Sequence, residues 1–369
     1  MSQALDRLCA ELVRHEARAM VAFSPENVAY TIGFMVPSHP TNRHRRTISI
    51  LTPEGRSALI VVSVEAELAR QQSGIKDVRG YDQFTQNPMD LLAKVLREFG
   101  VASGPLALEL DYLPAQDYLA LWERLPAPPL IPCREMYQRA RMVKTPEEVA
   151  VLRRIAEISD RAERAVWHRM REGMTEKLLA AIITNAVLEA GGDGVRTLIG
   201  AGERSGIVNP RPTDRPLRRG DVVRVEILGN LQNFQSNVAR TGVVGRATDE
   251  QRRIWGTLME ARALALKMLR PGTPARDLWE AYARYCRQNA IEPTLGFLGH
   301  GIGLTGHEEP YLTARQPLLI EAGFVLTFEP FFMMPGRMGF HIEDMFLVTE
   351  SGYETLTAVT TNDQLIEVS

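Results

Sequence analysis

The order of apolar and polar residues along the chain predicts helices alternating with strands. Leu5, Leu8, Leu12 and Val13 recur at helical spacing within residues 4–18, and the unbroken run Ala19-Met20-Val21-Ala22-Phe23 reads as a buried strand. Two more strands, Thr47 to Leu51 and Ala58 to Val64, flank the turn Pro53-Glu54-Gly55. These elements make a small α/β domain that ends near Pro132-Cys133-Arg134. Beyond it, Thr145-Pro146-Glu147-Glu148 marks a helix start, with a hydroxyl N-cap, proline at the first helical position and a glutamate that completes a capping box. Val149, Leu152, Ile155 and Ala156 form that helix's apolar stripe. Further helices are predicted within 173–192, 249–269 and 275–288, the last two parted by Pro271-Gly272-Thr273-Pro274. In Gly220 to Gly229 the period changes to two: Val223, Val225 and Ile227 face one way, Arg224, Glu226 and Leu228 the other.

Composition narrows the class. A chain of 369 residues with 45% apolar content can bury a sizeable core in two or three domains. The net charge of -2 comes without any polybasic tract, which excludes a nucleic-acid or membrane-surface binder; a small-molecule substrate and a second copy of the chain are the expected partners. Cys9, Cys133 and Cys286 are odd in number and lack metal-type spacing, so a reduced, cytoplasmic setting is expected. The N-terminal residues alternate charge with apolar side chains, unlike a signal peptide or membrane anchor.

The chemistry concentrates toward the C-terminus. Gly299-His300-Gly301-Ile302-Gly303-Leu304-Thr305-Gly306-His307-Glu308-Glu309-Pro310 is a permissive backbone presenting imidazoles and carboxylates. Two apolar runs follow, Phe324 to Pro330 and Phe340 to Val348, and each carries an acid, Glu329 or Glu343, within strand-like sequence. A carboxylate in that setting is costly to bury unless a cation, a proton or a donor meets it. Glu329, Glu343 and His300 are therefore expected to converge, with His341 on the same side of its strand as Glu343.

The order GHGIGL, HEEP, TFEP, IED resembles the creatinase/prolidase/methionine-aminopeptidase superfamily over nearly the whole chain. The resemblance implies an α/β (α+β) architecture: a creatinase-like N-terminal domain over 1–132 and a "pita-bread" catalytic domain over 137–369. It also implies a homodimer in which the N-domain loop lends Arg45 or Arg46 to the partner's site. In the family's peptidases two Asp, one His and two Glu hold two divalent ions, and His300, Glu329 and Glu343 match the last three places. Glu226 stands where the first Asp is expected, Asn237 where the bridging Asp is expected, and Arg211 where a catalytic His is expected.

Those departures shape the expected function. Asn237 is a neutral ligand at best, so no two-metal centre is expected; the cofactor expectation is none, or one weakly held divalent ion on Glu226, Asn237, His300, Glu329 and Glu343. The closest pattern is then the creatinase and ectoine-hydrolase branch, which opens C–N bonds in small zwitterions. The expected activity is hydrolysis of a carboxylate-bearing amide, amidine or guanidino compound. Glu226, Glu329 and Glu343 would share acid and base roles, with His300 and His307 as proton carriers. Arg211, Arg45, Arg46 and His341 would bind substrate. The alternatives are a metal-dependent Xaa-Pro dipeptidase or aminopeptidase, and a non-catalytic binding module that retains the fold.

Overall fold

A computed structural model of the chain describes residues 3–358, 360 and 362–369. The chain divides into two compact units, Met1–Arg141 and Met142–Ser369. The first runs past the join expected near 133–136, because the helix Arg134–Met142 buries Met136, Tyr137 and Ala140 and its Tyr137 hydroxyl bonds Thr31 at 3.0 Å.

The first unit is an α/β layer built on a six-stranded sheet. Its strands are β1 (Ala19–Ala22), β2 (Ile48–Leu51), β3 (Ser57–Val62), β4 (Asp77–Tyr81), β5 (Leu106–Leu108) and β6 (Leu130–Pro132), in the order β4-β3-β2-β1-β5-β6. β1 is buried along its length, which explains why its sequence is continuously apolar rather than alternating. Ser24 caps the helix Pro25–Ile32 through Asn27 N, and the buried Glu109 carboxylate accepts from Phe23 N, Ser24 N and Asn27 Nδ2 at 2.7–2.8 Å.

His39 lies beside this cap, 7% exposed, with Nε2 at 2.8 Å from the Phe23 carbonyl. Burial, partly offset by that hydrogen bond, lowers its pKa to about 4. The folded imidazole therefore stays neutral while the unfolded one protonates near pH ~6.5. The contribution to stability is complete above that value and declines as pH falls through the window from about 6.5 toward 4. Between pH 7 and pH 5 the loss is about 2 kcal/mol. A His39→Asn variant should show a pH 7-to-5 drop in the first unit's urea stability smaller by that amount; an unchanged drop would remove His39 as its source.

The second unit holds two five-stranded sheets. One comprises β7 (Gly194–Ala201), β8 (Val222–Leu231), β9 (Phe234–Gln235), β10 (Val238–Val244) and, at the chain's end, β18 (Ile366–Val368). The other orders β11 (Phe297–Gly301), β12 (Glu308–Thr313), β13 (Val325–Phe328), β16 (Asp344–Thr349) and β17 (Gly352–Thr355) as β12-β11-β13-β16-β17. The hairpin β14 (Phe331–Met334) and β15 (Met338–His341) stands apart from both sheets. The helix Pro146–Arg169 begins with the expected capping box, Thr145 Oγ1 accepting from Glu148 N while Glu148 accepts from Thr145 N. Val223, Val225 and Ile227 pack into one apolar cluster with Ile155 and Ile158 of that helix, so the opposite face of β8 carries Arg224 and Glu226 elsewhere.

The segment Phe340 to Val348, expected as one strand, is two. β15 pairs with β14, β16 pairs with β13 and β17, and the break at Ile342-Glu343 lets Glu343 form a separate bridge to Ala239.

Candidate active site

His300 sits on β11 between two glycines whose absence of a side chain is required. A Cβ on Gly299 would lie 1.9 Å from the Thr327 carbonyl oxygen, and one on Gly301 would lie 2.3 Å from that of Glu309. The neighbouring strands therefore press close and fix the imidazole at no exposure. Nδ1 lies 2.9 Å from the Gly301 carbonyl, which can only accept, so Nδ1 carries the proton and Nε2 is a bare lone pair.

That lone pair faces acids. Glu329 follows β13 and places Oε1 at 3.1 Å from His300 Nε2, and Glu343 places Oε1 at 3.7 Å. His341, at the end of β15, stands on the other side of the same two carboxylates, with Nε2 at 3.8 Å from Glu329 Oε2 and 3.6 Å from Glu343 Oε2. Its Nδ1 lies 3.6 Å from Glu226 Oε2 on β8. Ala239 ties these elements together: it pairs with Glu226 across β8 and exchanges both backbone hydrogen bonds with Glu343, at 3.0 and 3.1 Å.

The electrostatics follow from burial. Desolvation raises Glu226 to about 7, although Arg224 pulls the other way, and desolvation with the charge of Glu329 raises Glu343 well above the carboxylate range. His341 is pushed well below the ordinary imidazole range by burial and then by Arg224.

A cluster of this kind fits a divalent cation. His300 Nε2, Glu329 Oε1, both oxygens of Glu343, both ring nitrogens of His341 and Asn237 Oδ1 are buried without a hydrogen-bond partner among the described residues. Carboxylate oxygens and imidazole lone pairs that converge in this way repel unless a proton or a positive charge lies between them. Imidazole and carboxylate are the donor types that hold such an ion, and Glu329, His341 and Glu343 bring their ligand atoms within 4.8 Å of one another, as do His300, His307 and Glu329.

The remaining expected residues fall in different places. His307 stacks on His300 with ring centroids 3.6 Å apart and is exposed at a cavity of about 510 Å³ shared with Asp193, Arg196, Asn230 and Gln235. Asn237 is buried just before β10. Arg211 is exposed, and its carbonyl accepts from Arg204. Arg45 donates to Gln83 at 2.9 Å and Arg46 pairs with Asp117, both within the first unit.

Two residues at the cluster were not anticipated. Arg224 is fully buried, its guanidinium held by the carbonyls of Ser205, Ile207 and Val208 and set over the Phe331 ring, 3.9 Å from Glu226 Oε2. The two-residue period of β8 carried the signal, since Arg224 and Glu226 share a face. Lys144 is the other: its Nζ meets Glu308 Oε2 at 2.9 Å while Glu308 Oε1 accepts from Thr305 N, which fixes the turn that presents His307.

Comparison with known proteins adds what geometry leaves open. Residues 150–350 match the family model described as "Metallopeptidase family M24", and residues 5–143 match "Creatinase/Prolidase N-terminal domain". A Mycobacterium tuberculosis protein named "Probable dipeptidase PepE" is 30% identical over 329 residues, 88% of this chain and 86% of that one. "Xaa-Pro dipeptidase" of Pyrococcus furiosus is 30% identical over 220 residues, 59% of this chain and 63% of that one. The crystal structure of Dipeptidase PepE from Mycobacterium ulcerans superposes with a TM-score of 0.86 at 26% identity, covering 100% of this chain and 98% of that one. The expected pita-bread architecture is thereby shown.

Two expectations are overturned. The relatives are named dipeptidases, which contradicts a C–N hydrolase of small zwitterionic amides, amidines or guanidino compounds with a degenerate metal site. The match to a metallopeptidase family likewise contradicts a site without a cofactor or with one weakly held ion. The error came from weighing Asn237 as the loss of the bridge. In the structure Glu329 and Glu343 each turn one oxygen to either side, so bridging donors are present without it.

Proposed function

This chain belongs to metallopeptidase family M24, and we propose that it is a metal-dependent dipeptidase whose substrates include Xaa-Pro dipeptides. The observation that carries the proposal is the bare Nε2 of His300 set 3.1 Å from a Glu329 oxygen, two acceptors facing each other in a buried site. His300, Glu329 and Glu343 would hold the metal, with Glu226 beside them. A divalent ion bound there supplies a Lewis acid for the peptide carbonyl and a water of lowered pKa.

The chain's own residues account for the rest of the reaction. Gly299 and Gly301 let β13 and β12 pack against His300, which excludes water from behind the imidazole. His307, stacked on His300 yet exposed at the cavity, has its pKa lowered to about 4 by burial and by His300, so its ring is neutral and placed to hydrogen-bond the substrate. Arg196 lines the same cavity and offers a guanidinium fork for the dipeptide's carboxylate. Glu226 stands at the edge of the cluster, its Oε2 3.6 Å from His341 Nδ1. The proposal extends to a cytoplasmic homodimer, in which Arg45 or Arg46 would exchange its present partner for the other subunit's substrate.

The test is hydrolysis of a panel of Xaa-Pro and other dipeptides by protein purified without added metal, then treated with a chelator and reconstituted with Mn²⁺, Co²⁺ or Zn²⁺. Activity should fall at least ~10-fold on chelation and return on reconstitution, in line with the rate support a metal-bound water provides. Dipeptides left intact under every metal condition by folded protein would reject the assignment.

A further inference from the structure

His341 is buried to 1% exposure, and its backbone is pinned from both sides: its N–H donates to Thr241 Oγ1 at 3.0 Å and its carbonyl accepts from that hydroxyl at 2.6 Å. The ring packs edge-on to Phe331 with centroids 4.6 Å apart. Yet neither ring nitrogen has a hydrogen-bond partner among the described residues. A buried neutral imidazole has one N–H and one lone pair, and leaving both unmatched is costly unless something else engages them.

The surroundings show what that is. Glu329 and Glu343 lie between two imidazoles and treat them alike, with the Oε1 atoms of both turned to His300 Nε2 at 3.1 and 3.7 Å and the Oε2 atoms to His341 Nε2 at 3.8 and 3.6 Å. On its far side His341 Nδ1 faces Glu226 Oε2 at 3.6 Å. A carboxylate behind the outer nitrogen of an imidazole is the usual arrangement of a metal-ligating histidine, in which the acid fixes the tautomer and the ring. Arg224 stands beyond Glu226, its charge already engaged by three backbone carbonyls.

We propose that His341 is a metal ligand through Nε2, so that the centre offers two cation positions, one by each imidazole, bridged by Glu329 and Glu343. Glu226 then orients His341 through Nδ1. The donor lost with Asn237 is replaced by an imidazole from a different strand, and two imidazoles favour Zn²⁺, Co²⁺ or Ni²⁺ over Mg²⁺ and Ca²⁺. This rests on the metal-dependent reading above.

The experiment counts ions and imidazoles, with no reliance on activity. Apoprotein reconstituted with Co²⁺ is measured by elemental analysis and calorimetric titration for the unmodified chain and for His341→Ala, with circular dichroism as the fold control. The unmodified chain should hold two ions. His341→Ala should lose one of them, its affinity falling by at least ~10-fold, the lower range for disturbing a metal's supporting residues. X-ray absorption of cobalt-loaded His307→Ala protein, in which only His300 and His341 remain at the cluster, should give one imidazole per cobalt; this keeps the test decisive if His341→Ala does not fold. Two ions bound by His341→Ala with affinities within twofold of the unmodified chain, or half an imidazole per cobalt in the absorption spectrum, would overturn the role of His341 alone. Folded unmodified protein that binds no Co²⁺, Mn²⁺ or Zn²⁺ would overturn the metal-dependent reading with it.

Discussion

A Glu329→Gln variant is expected to lose about a thousandfold in kcat/KM toward dipeptides while keeping its fold, within the range for removing a group that acts at the reacting centre. Among the described residues Glu329 belongs to both candidate metal triads, with His300 and His307 on one side and His341 and Glu343 on the other. The amide preserves shape but removes a negative charge from between two imidazoles, and its NH₂ group can donate to the bare His300 Nε2 in place of a metal ion. The backbone should not object, because the N–H of residue 329 still donates to the Leu298 carbonyl at 2.7 Å. Steady-state kinetics and bound-metal content together check this. Activity above a tenth of the unmodified protein's would place the reacting centre elsewhere.

The largest loss of stability is expected at Arg240, a fully buried guanidinium on β10. Its Nη2 pairs with Asp344 Oδ1 at 2.7 Å and lies 3.5 Å from Asp160 Oδ1, and its Nη1 donates to the carbonyls of Ala239 and Glu343 at 2.8 Å. Burial alone would raise the Asp344 pKa, but Arg240 and Arg262 outweigh it and hold the carboxyl below its usual value. Removing one member of such a set leaves charge uncompensated in the interior, which costs about 3–5 kcal/mol. Arg240→Leu should show that loss in urea unfolding of the second unit at pH 7. It should also weaken catalysis, because the Glu343 carbonyl loses one of its two donors and keeps only Ala239 N. The linkage has a definite sign: a depressed carboxyl pKa stabilises above the unfolded value, near ~3.9, and that stabilisation vanishes as pH falls through the folded value. The unmodified protein should therefore lose stability steeply below about pH 4, and Arg240→Leu less steeply. A stability change under ~1 kcal/mol at pH 7 would mean that Arg262 alone neutralises Asp344.

Much of the site could be read from residue order. Two acids set in strand-like sequence and a histidine between two glycines pointed to convergence, and His300, Glu329 and Glu343 do converge, with Glu226, the position the resemblance singled out, facing them past His341. The capping box at Thr145 and the helices near 249 and 275 were equally legible, because caps, prolines and helical periodicity are local features that depend on neighbours a few residues away. The functional expectation failed for a related reason. It weighed three departures, Glu226, Asn237 and Arg211, as positions along the chain, whereas the ability to bridge depends on where every carboxylate oxygen points.

By itself the sequence determined which residues carry chemistry and which must be buried, since those follow from side-chain type and period. It also determined that glycine flanks His300, a choice whose reason appears only when Thr327 and Glu309 are seen to press against it. Tertiary structure alone decided the rest. It broke the 340–348 segment so that Glu343 could bridge to Ala239, and it set Arg224 against Glu226 rather than against solvent. It also placed His341 opposite His300 across two shared carboxylates. The bridge between Ala239 and Glu343 joins segments about a hundred residues apart, and the other two depend on contacts between separate elements of the second unit. Register between distant strands is set by the packing of whole faces, and no window along the chain contains that information.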